Sequence, residues 1–124
     1  MNNKQTTIKD SVSLEGVGIH TGKDVKLTFH PAKENTGYIF KRVDLGDKPE
    51  IEALAKYVVN TQRGTTLEKD GVKLKTTEHV LAALVGLEID NILIEINAEE
   101  PPIMDGSSKF FVDALQRAGL KELS

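Results

Sequence analysis

The clearest pattern along the chain is alternation. Over residues 24–30, Val25, Leu27 and Phe29 fall on one side, and Lys26, Thr28 and His30 on the other. A period of two is that of a half-buried strand. Pro31 marks its end, because proline brings no backbone donor to a sheet interior. Residues 5–14 alternate more loosely through Ile8, Val12 and Leu14 and predict an earlier strand. Between the two lies GVGIHTG (16–22), whose glycines predict a tight turn. Asn35, Thr36 and Gly37 predict another turn, followed by a strand over 38–43 and a loop over 44–49. Residues 51–59 carry mixed signals. Their alanines favour helix, whereas Tyr57, Val58 and Val59 favour strand, and we read a strand.

Two short runs, 65–67 and 72–74, flank Lys69, Asp70 and Gly71. Asp-Gly between such runs predicts a hairpin, since both residues tolerate positive φ. Thr76 is then the expected N-cap of a helix reaching Leu87. Residues 80–87 are apolar nearly all round, which predicts a helix buried rather than lying on the surface. Residues 91–96 predict a strand with Ile92, Ile94 and Ile96 on one face. The turn-rich stretch PPIMDGSS follows, and Ser107 or Ser108 is expected to cap a final helix. In that helix Phe110, Phe111, Ala114, Leu115 and Ala118 recur at helical spacing, and Gly119 ends it. Six or seven strands with two late helices predict the α+β class. The expected architecture is a two-layer sandwich, an antiparallel or mixed sheet covered on one face by two helices. At 124 residues the whole chain, 1–124, reads as one domain.

Composition narrows the function classes. The chain has no tryptophan, so the core is mainly aliphatic. Sixteen basic residues face 19 acidic ones, and no basic stripe suggests a nucleic-acid partner. The absence of cysteine excludes disulfides and thiolate metal sites and accords with a cytoplasmic protein. The polar first ten residues are followed by no apolar leader segment. The longest apolar run, 80–87, is far short of the roughly 20 residues of a membrane span.

Candidate chemistry centres on three histidines. His79 follows Glu78 at the start of the apolar helix, where adjacent side chains point about 100° apart. They can address one metal site from neighbouring angles, the imidazole as ligand and the carboxylate as base for the attacking water. The helix N-terminus favours an ionised Glu78. Taken alone, the pair reads more readily as a surface carboxylate beside a partly buried histidine. His20 lies in the glycine turn, where an exposed histidine is the plainer reading than a functional one. His30 sits on the polar face of its strand and reads as solvated. The glycine turn lacks both the Gly-Lys-Ser/Thr ending of a phosphate loop and a following helix. Asp105 reads as a turn residue serving backbone donors. The polar TQRGTT (61–66) either lines a site or leads into a strand.

Four segments together resemble one family: GVGIHTG (16–22), HPAKENTGYIFKRVDL (30–45), TTEHVLAAL (76–84) and IDNILIEINAEEPPIMDGS (89–107). In order and spacing they are similar to the zinc-dependent UDP-3-O-acyl-N-acetylglucosamine deacetylases of lipid A synthesis in Gram-negative bacteria, and this chain resembles their amino-terminal domain. The resemblance implies a fold of two similar domains, packed helix layer against helix layer with the active site between them. It implies hydrolysis of the N-acetyl group of UDP-3-O-(3-hydroxyacyl)-N-acetylglucosamine, the committed step towards lipid A. Carried over by position, Glu78 is the general base, His79 a zinc ligand, and His20 a substrate-binding histidine of secondary role. Asp105 falls in the family's IMDGS turn as a structural residue. The other zinc ligands, a His and an Asp of an H-x-x-x-D motif, belong to a second domain, as does the acid that protonates the leaving amine. No histidine follows His79 here, so this stretch alone is expected to be inactive and to need that domain as its partner. Some members carry a cysteine in the loop matching TQRGTT, and others are fused to a hydroxyacyl-carrier-protein dehydratase.

Two alternatives stand beside this reading. One is a non-catalytic nucleotide-sugar-binding module of the same fold. The other is a self-contained site in which His20, Glu78 and His79 share a metal, which no spacing motif supports. An uncovered helix layer would expose an apolar patch, through which self-association is expected.

Overall fold

The computed structural model describes residues 4–61 and 64–123, with the side chains of residues 60 and 61 excepted. Its central element is a five-stranded mixed sheet in the order β2-β3-β9-β4-β5, comprising β2 (Val12–Val17), β3 (Asp24–Pro31), β9 (Ile92–Ile96), β4 (Tyr38–Arg42) and β5 (Glu50–Glu52). All its neighbours are antiparallel except β4 and β9, which run parallel. The alternation over 24–30 has the expected result: Val25, Leu27 and Phe29 are buried, and Ile94 of β9 lies opposite Phe29. Phe40 and Ile51 extend the same apolar layer across the sheet.

Two helices complete the core, α1 (Glu78–Gly86) and α2 (Lys109–Ala118). α2 packs on β2 and α1 packs on α2. Phe111 of α2 meets Phe29 edge to face, with ring centroids 6.5 Å apart and planes at 88°, the offset geometry that aromatic quadrupoles favour. The chain is therefore α+β, with helices against one apolar sheet face, as its pattern predicts.

The strands divide differently from the expected single sheet. A second sheet, β6-β7-β8, comprises β6 (Val58–Thr61), β7 (Gly64–Lys69) and β8 (Val72–Leu74). Its hairpin turn has Asp70 and Gly71 at φ 51° and 81°, the positive values the Asp-Gly signal requires. Leu67 and Leu74 carry it into the common core. A two-stranded ribbon pairs β1 (Thr6–Ile8) with β10 (Leu120–Glu122). The strand expected over 5–14 is thus two strands in two sheets, broken at Lys9 and Asp10, whose N–H groups turn to the carbonyls of Gly119 and Ala118.

Three further expectations are corrected. Residues 51–59 form neither one strand nor one helix. The segment closes β5, makes a single 3₁₀ turn over Ala55–Tyr57 and opens β6. The N-cap position of α1 is Thr77, and Thr76 stands outside the helix at φ 55°. α1 is not buried all round: Val80, Ala83 and Leu84 face the core, while Val85 is 65% exposed. On α2, Phe110 likewise points outward. No described helix is long and apolar enough to cross a membrane.

Candidate active site

The start of α1 is fastened to the start of β7. Thr77, fully buried, donates through both its N–H and its Oγ1 to the carbonyl of Thr65, at 3.0 and 3.1 Å. In return, the Thr65 N–H donates to Glu78 Oε1 at 3.1 Å. Gly64 makes this return possible. A Cβ there would lie 2.7 and 2.9 Å from the two Glu78 carboxylate oxygens, closer than carbon and oxygen can approach. Glu78 is therefore a partly buried carboxylate held by one backbone donor against bare backbone. His79, the next residue, is half-buried at the same helix start. Among the described residues its ring has no hydrogen-bond partner.

Glu100 connects the glycine turn to this region. Its side chain is 0% exposed and stands 2.6 Å from His20 Nδ1, while the His20 side chain is 26% exposed. Glu100 Oε1 accepts from the backbone N–H groups of His20 at 2.9 Å and Thr21 at 3.2 Å. The Thr76 hydroxyl donates to Oε2 at 3.0 Å. Burial pushes this carboxyl up, but the donors from His20, Thr21 and Thr76 outweigh burial and hold it below the usual range. Beside this pair, the Lys75 N–H donates to the Glu99 carbonyl at 2.7 Å. The residues leading into α1 thus lie along those leaving β9.

His30, expected to be solvated, is instead half-buried and partnered. His30 is on the outer sheet face, bonded through Nδ1 to Ser11 Oγ at 2.7 Å and paired through Nε2 with Glu95. Asp105 is exposed and accepts from the N–H and hydroxyl of Ser107 at 3.1 and 2.7 Å, a local turn whose hydroxyl bond lowers the Asp105 pKa. In TQRGTT, Gln62 and Arg63 lie outside the described residues, and Gly64 and Thr65 do line the Glu78 side.

Sequence reasoning missed Glu100. A signal existed: the period of two through Ile92, Ile94 and Ile96 runs on through Ala98 to Glu100. Glu100 points inward, while Glu99 pairs with Lys75 near the surface.

Imidazole nitrogen and carboxylate oxygen are both zinc donors. Yet one oxygen of the Glu78 carboxylate is held by Thr65, and the group lies against Gly64. Among the described residues no three His, Cys, Asp or Glu side chains come together to hold a metal, and His20, Glu78 and His79 form no such group. The described donors fit zinc as one corner of a site, through His79, and not as a complete site.

The chain is an α+β domain with a confined carboxylate and, beside it at one helix start, an imidazole that has no partner among the described residues. The chain is a member of the LpxC family, UDP-3-O-acyl N-acetylglycosamine deacetylase, whose model matches residues 5–124. It is 54% identical over 118 residues to a bifunctional enzyme LpxC/FabZ of Chlorobaculum tepidum, covering 95% of this chain and 25% of that protein. It is 51% identical to the bifunctional enzyme LpxC/FabZ of Bacteroides thetaiotaomicron, covering 98% and 26%. A UDP-3-O-acyl-N-acetylglucosamine deacetylase of Marinobacter nauticus is 50% identical, with 96% and 39% covered. The chain thus spans between a quarter and two fifths of the length of these curated relatives.

Proposed function

We propose that this chain is the amino-terminal domain of a zinc-dependent deacetylase. The substrate is UDP-3-O-(3-hydroxyacyl)-N-acetylglucosamine, and its N-acetyl group is removed as acetate on the way to lipid A. The observation that carries the reading is the Glu78 carboxylate, held by the Thr65 N–H against Gly64, with His79 directly beside it. Family membership over nearly the whole chain supports the same assignment.

A bound zinc ion supplies a Lewis acid that polarises the acetamide carbonyl and acidifies water. Glu78 takes a proton from the attacking water, a service worth about 10² to 10⁴ in rate. The Thr65 N–H keeps one Glu78 oxygen in place and leaves the other for that proton. His79 offers one metal ligand. His20, at the exposed end of the glycine turn, contacts the substrate. As the amide C–N bond breaks, the departing nitrogen gains a proton from an acid outside the described residues.

The remaining ligands, the acid and the acyl-chain passage belong to a second domain, in line with the greater length of the relatives. That domain would cover the helix layer, where Val85 and Phe110 are exposed, and the uncovered layer would promote self-association. A cytoplasmic setting accords with the cysteine-free composition.

The test is deacetylation and zinc content of the full-length protein, wild type beside Glu78→Ala. Expected is a fall in turnover of about 10² to 10⁴ with zinc retained. Unchanged turnover would remove Glu78 from the role of base. Zinc-free binding of the nucleotide sugar without turnover in the wild type would identify a binding module instead.

A further inference from the structure

A buried carboxylate is costly unless its oxygens are fully engaged. Glu100 meets that condition between two segments of the candidate site. Its Oε1 takes the N–H groups of His20 and Thr21, and its Oε2 takes the Thr76 hydroxyl and His20 Nδ1. The backbone is shaped to allow this. A Cβ on Gly18 would come within 2.5 Å of Glu100 Oε1, so the turn can close over the carboxylate only with glycine there. Thr76 sits at φ 55°, a region that β-branched residues rarely occupy, three positions before His79. Strain of this kind persists where surrounding contacts impose it, and it gathers at active sites.

An ionised carboxylate only accepts hydrogen bonds. His20 Nδ1 must therefore carry a proton, and the ring turns Nε2 away from Glu100. The fully buried acid and the partly exposed imidazole form an inside-to-outside pair, the arrangement by which a carboxylate sets the orientation and tautomer of a working histidine. A buried ion pair is by itself weak evidence of a stabilising role.

We propose that Glu100 is a positioning residue of the active site, holding His20 with Nδ1 protonated and Nε2 facing the substrate. This rests on the deacetylase reading for its catalytic consequence, though not for the orientation of His20.

Two measurements on the zinc-loaded full-length protein test it. The first is the ¹⁵N chemical shifts of His20 in histidine-labelled wild type and Glu100→Gln. Expected is a protonated Nδ1 in the wild type, giving way to a mixture of tautomers in the variant. A wild-type His20 with a bare Nδ1 would overturn the proposal without any variant having to fold. The second is a double-mutant cycle in kcat/KM with Glu100→Gln, His20→Ala and both changes. Expected is a loss of about tenfold or more from Glu100→Gln, the scale of partners that orient active imidazoles. Zinc content is expected to be unchanged, and no further loss is expected from Glu100→Gln once His20 is alanine. Additive losses, or unchanged kcat/KM in Glu100→Gln, would make Glu100 a structural staple only. A wild type that turns over no substrate would sink the deacetylase reading, and the catalytic half of this proposal with it, while the chemical shifts still decide the orientation of His20.

Discussion

Glu78 owes its position to a neighbour without a side chain. Gly64 has φ 119°, a conformation closed to most residues, and its bare Cα lets the carboxylate lie against β7. Gly64→Ala should cost about 1–3 kcal/mol in backbone strain. It should also push the Glu78 oxygens off the Thr65 N–H and lower turnover by about tenfold or more, since misplacement of order 1 Å can cost 10²-fold. Zinc content should not change. Chemical denaturation, steady-state kinetics and metal analysis separate the three effects. Wild-type turnover in Gly64→Ala would mean that Glu78 reaches its working position without this confinement. At this scale the position of Glu78 and His79 at a helix start was legible from sequence, because adjacency is a local property, whereas their roles were implied only by the family resemblance. Gly64 was visible only as part of a polar loop, since what it touches lies 14 residues further along.

The two helices behave as amphipathic elements of unequal legibility. α2 shows most of its buried face in its spacing, with Phe111, Ala114, Leu115 and Ala118 inward, although Phe110, grouped with them by spacing, points outward. α1 is apolar on nearly every side, so its sequence could not mark Val85 as exposed. Leu84→Ala should destabilise the protein by about 2–5 kcal/mol through lost burial and a cavity. Ala82→Ser, on the exposed side of the same helix, should change stability by no more than about 0.5 kcal/mol. Equal losses from the two would contradict the orientation of α1. The N-terminus of α1 adds a third case. Thr77→Val removes the hydroxyl bond to Thr65 and should cost about 1 kcal/mol, with a matching loosening of Glu78 read as reduced turnover.

Across the whole molecule, one guanidinium and one carboxylate join distant segments. Arg42 of β4 holds Asp44 through Nε and Nη2 at 2.9 and 2.7 Å, while its Nη1 donates to the Lys73 carbonyl of β8 at 2.9 Å. Those Arg42 bonds lower the Asp44 pKa from its ordinary 3.8, burial opposing them. The Glu100 carboxyl is lowered from its ordinary 4.5 despite the opposing effect of burial. A group whose folded pKa is depressed stabilises the fold above its unfolded value, and that contribution disappears as pH falls through the folded value. The melting temperature should therefore decline as pH drops below 4.5. In Glu100→Gln the decline should be shallower and the starting value lower. A parallel decline in wild type and variant would show that Glu100 contributes nothing to the acid limb.

Periodicity and turn chemistry are properties of neighbouring residues. They sufficed for the alternation of β3, the Asp-Gly hairpin, most of the buried face of α2, the α+β class and the placing of Glu78 and His79 at a helix start. Alternation states which face of a strand is buried but not which strand lies beside it. The division of the ten described strands into three sheets was therefore decided by tertiary packing. The parallel pairing of β4 with β9 joins segments some fifty residues apart, and no local signal announces it. The same holds for Glu100, whose meaning depends on His20, 80 residues away. In sequence it is one of two glutamates before a proline pair. Buried among donors that only the folded chain brings together, it becomes the acceptor on which the turn and the helix start converge.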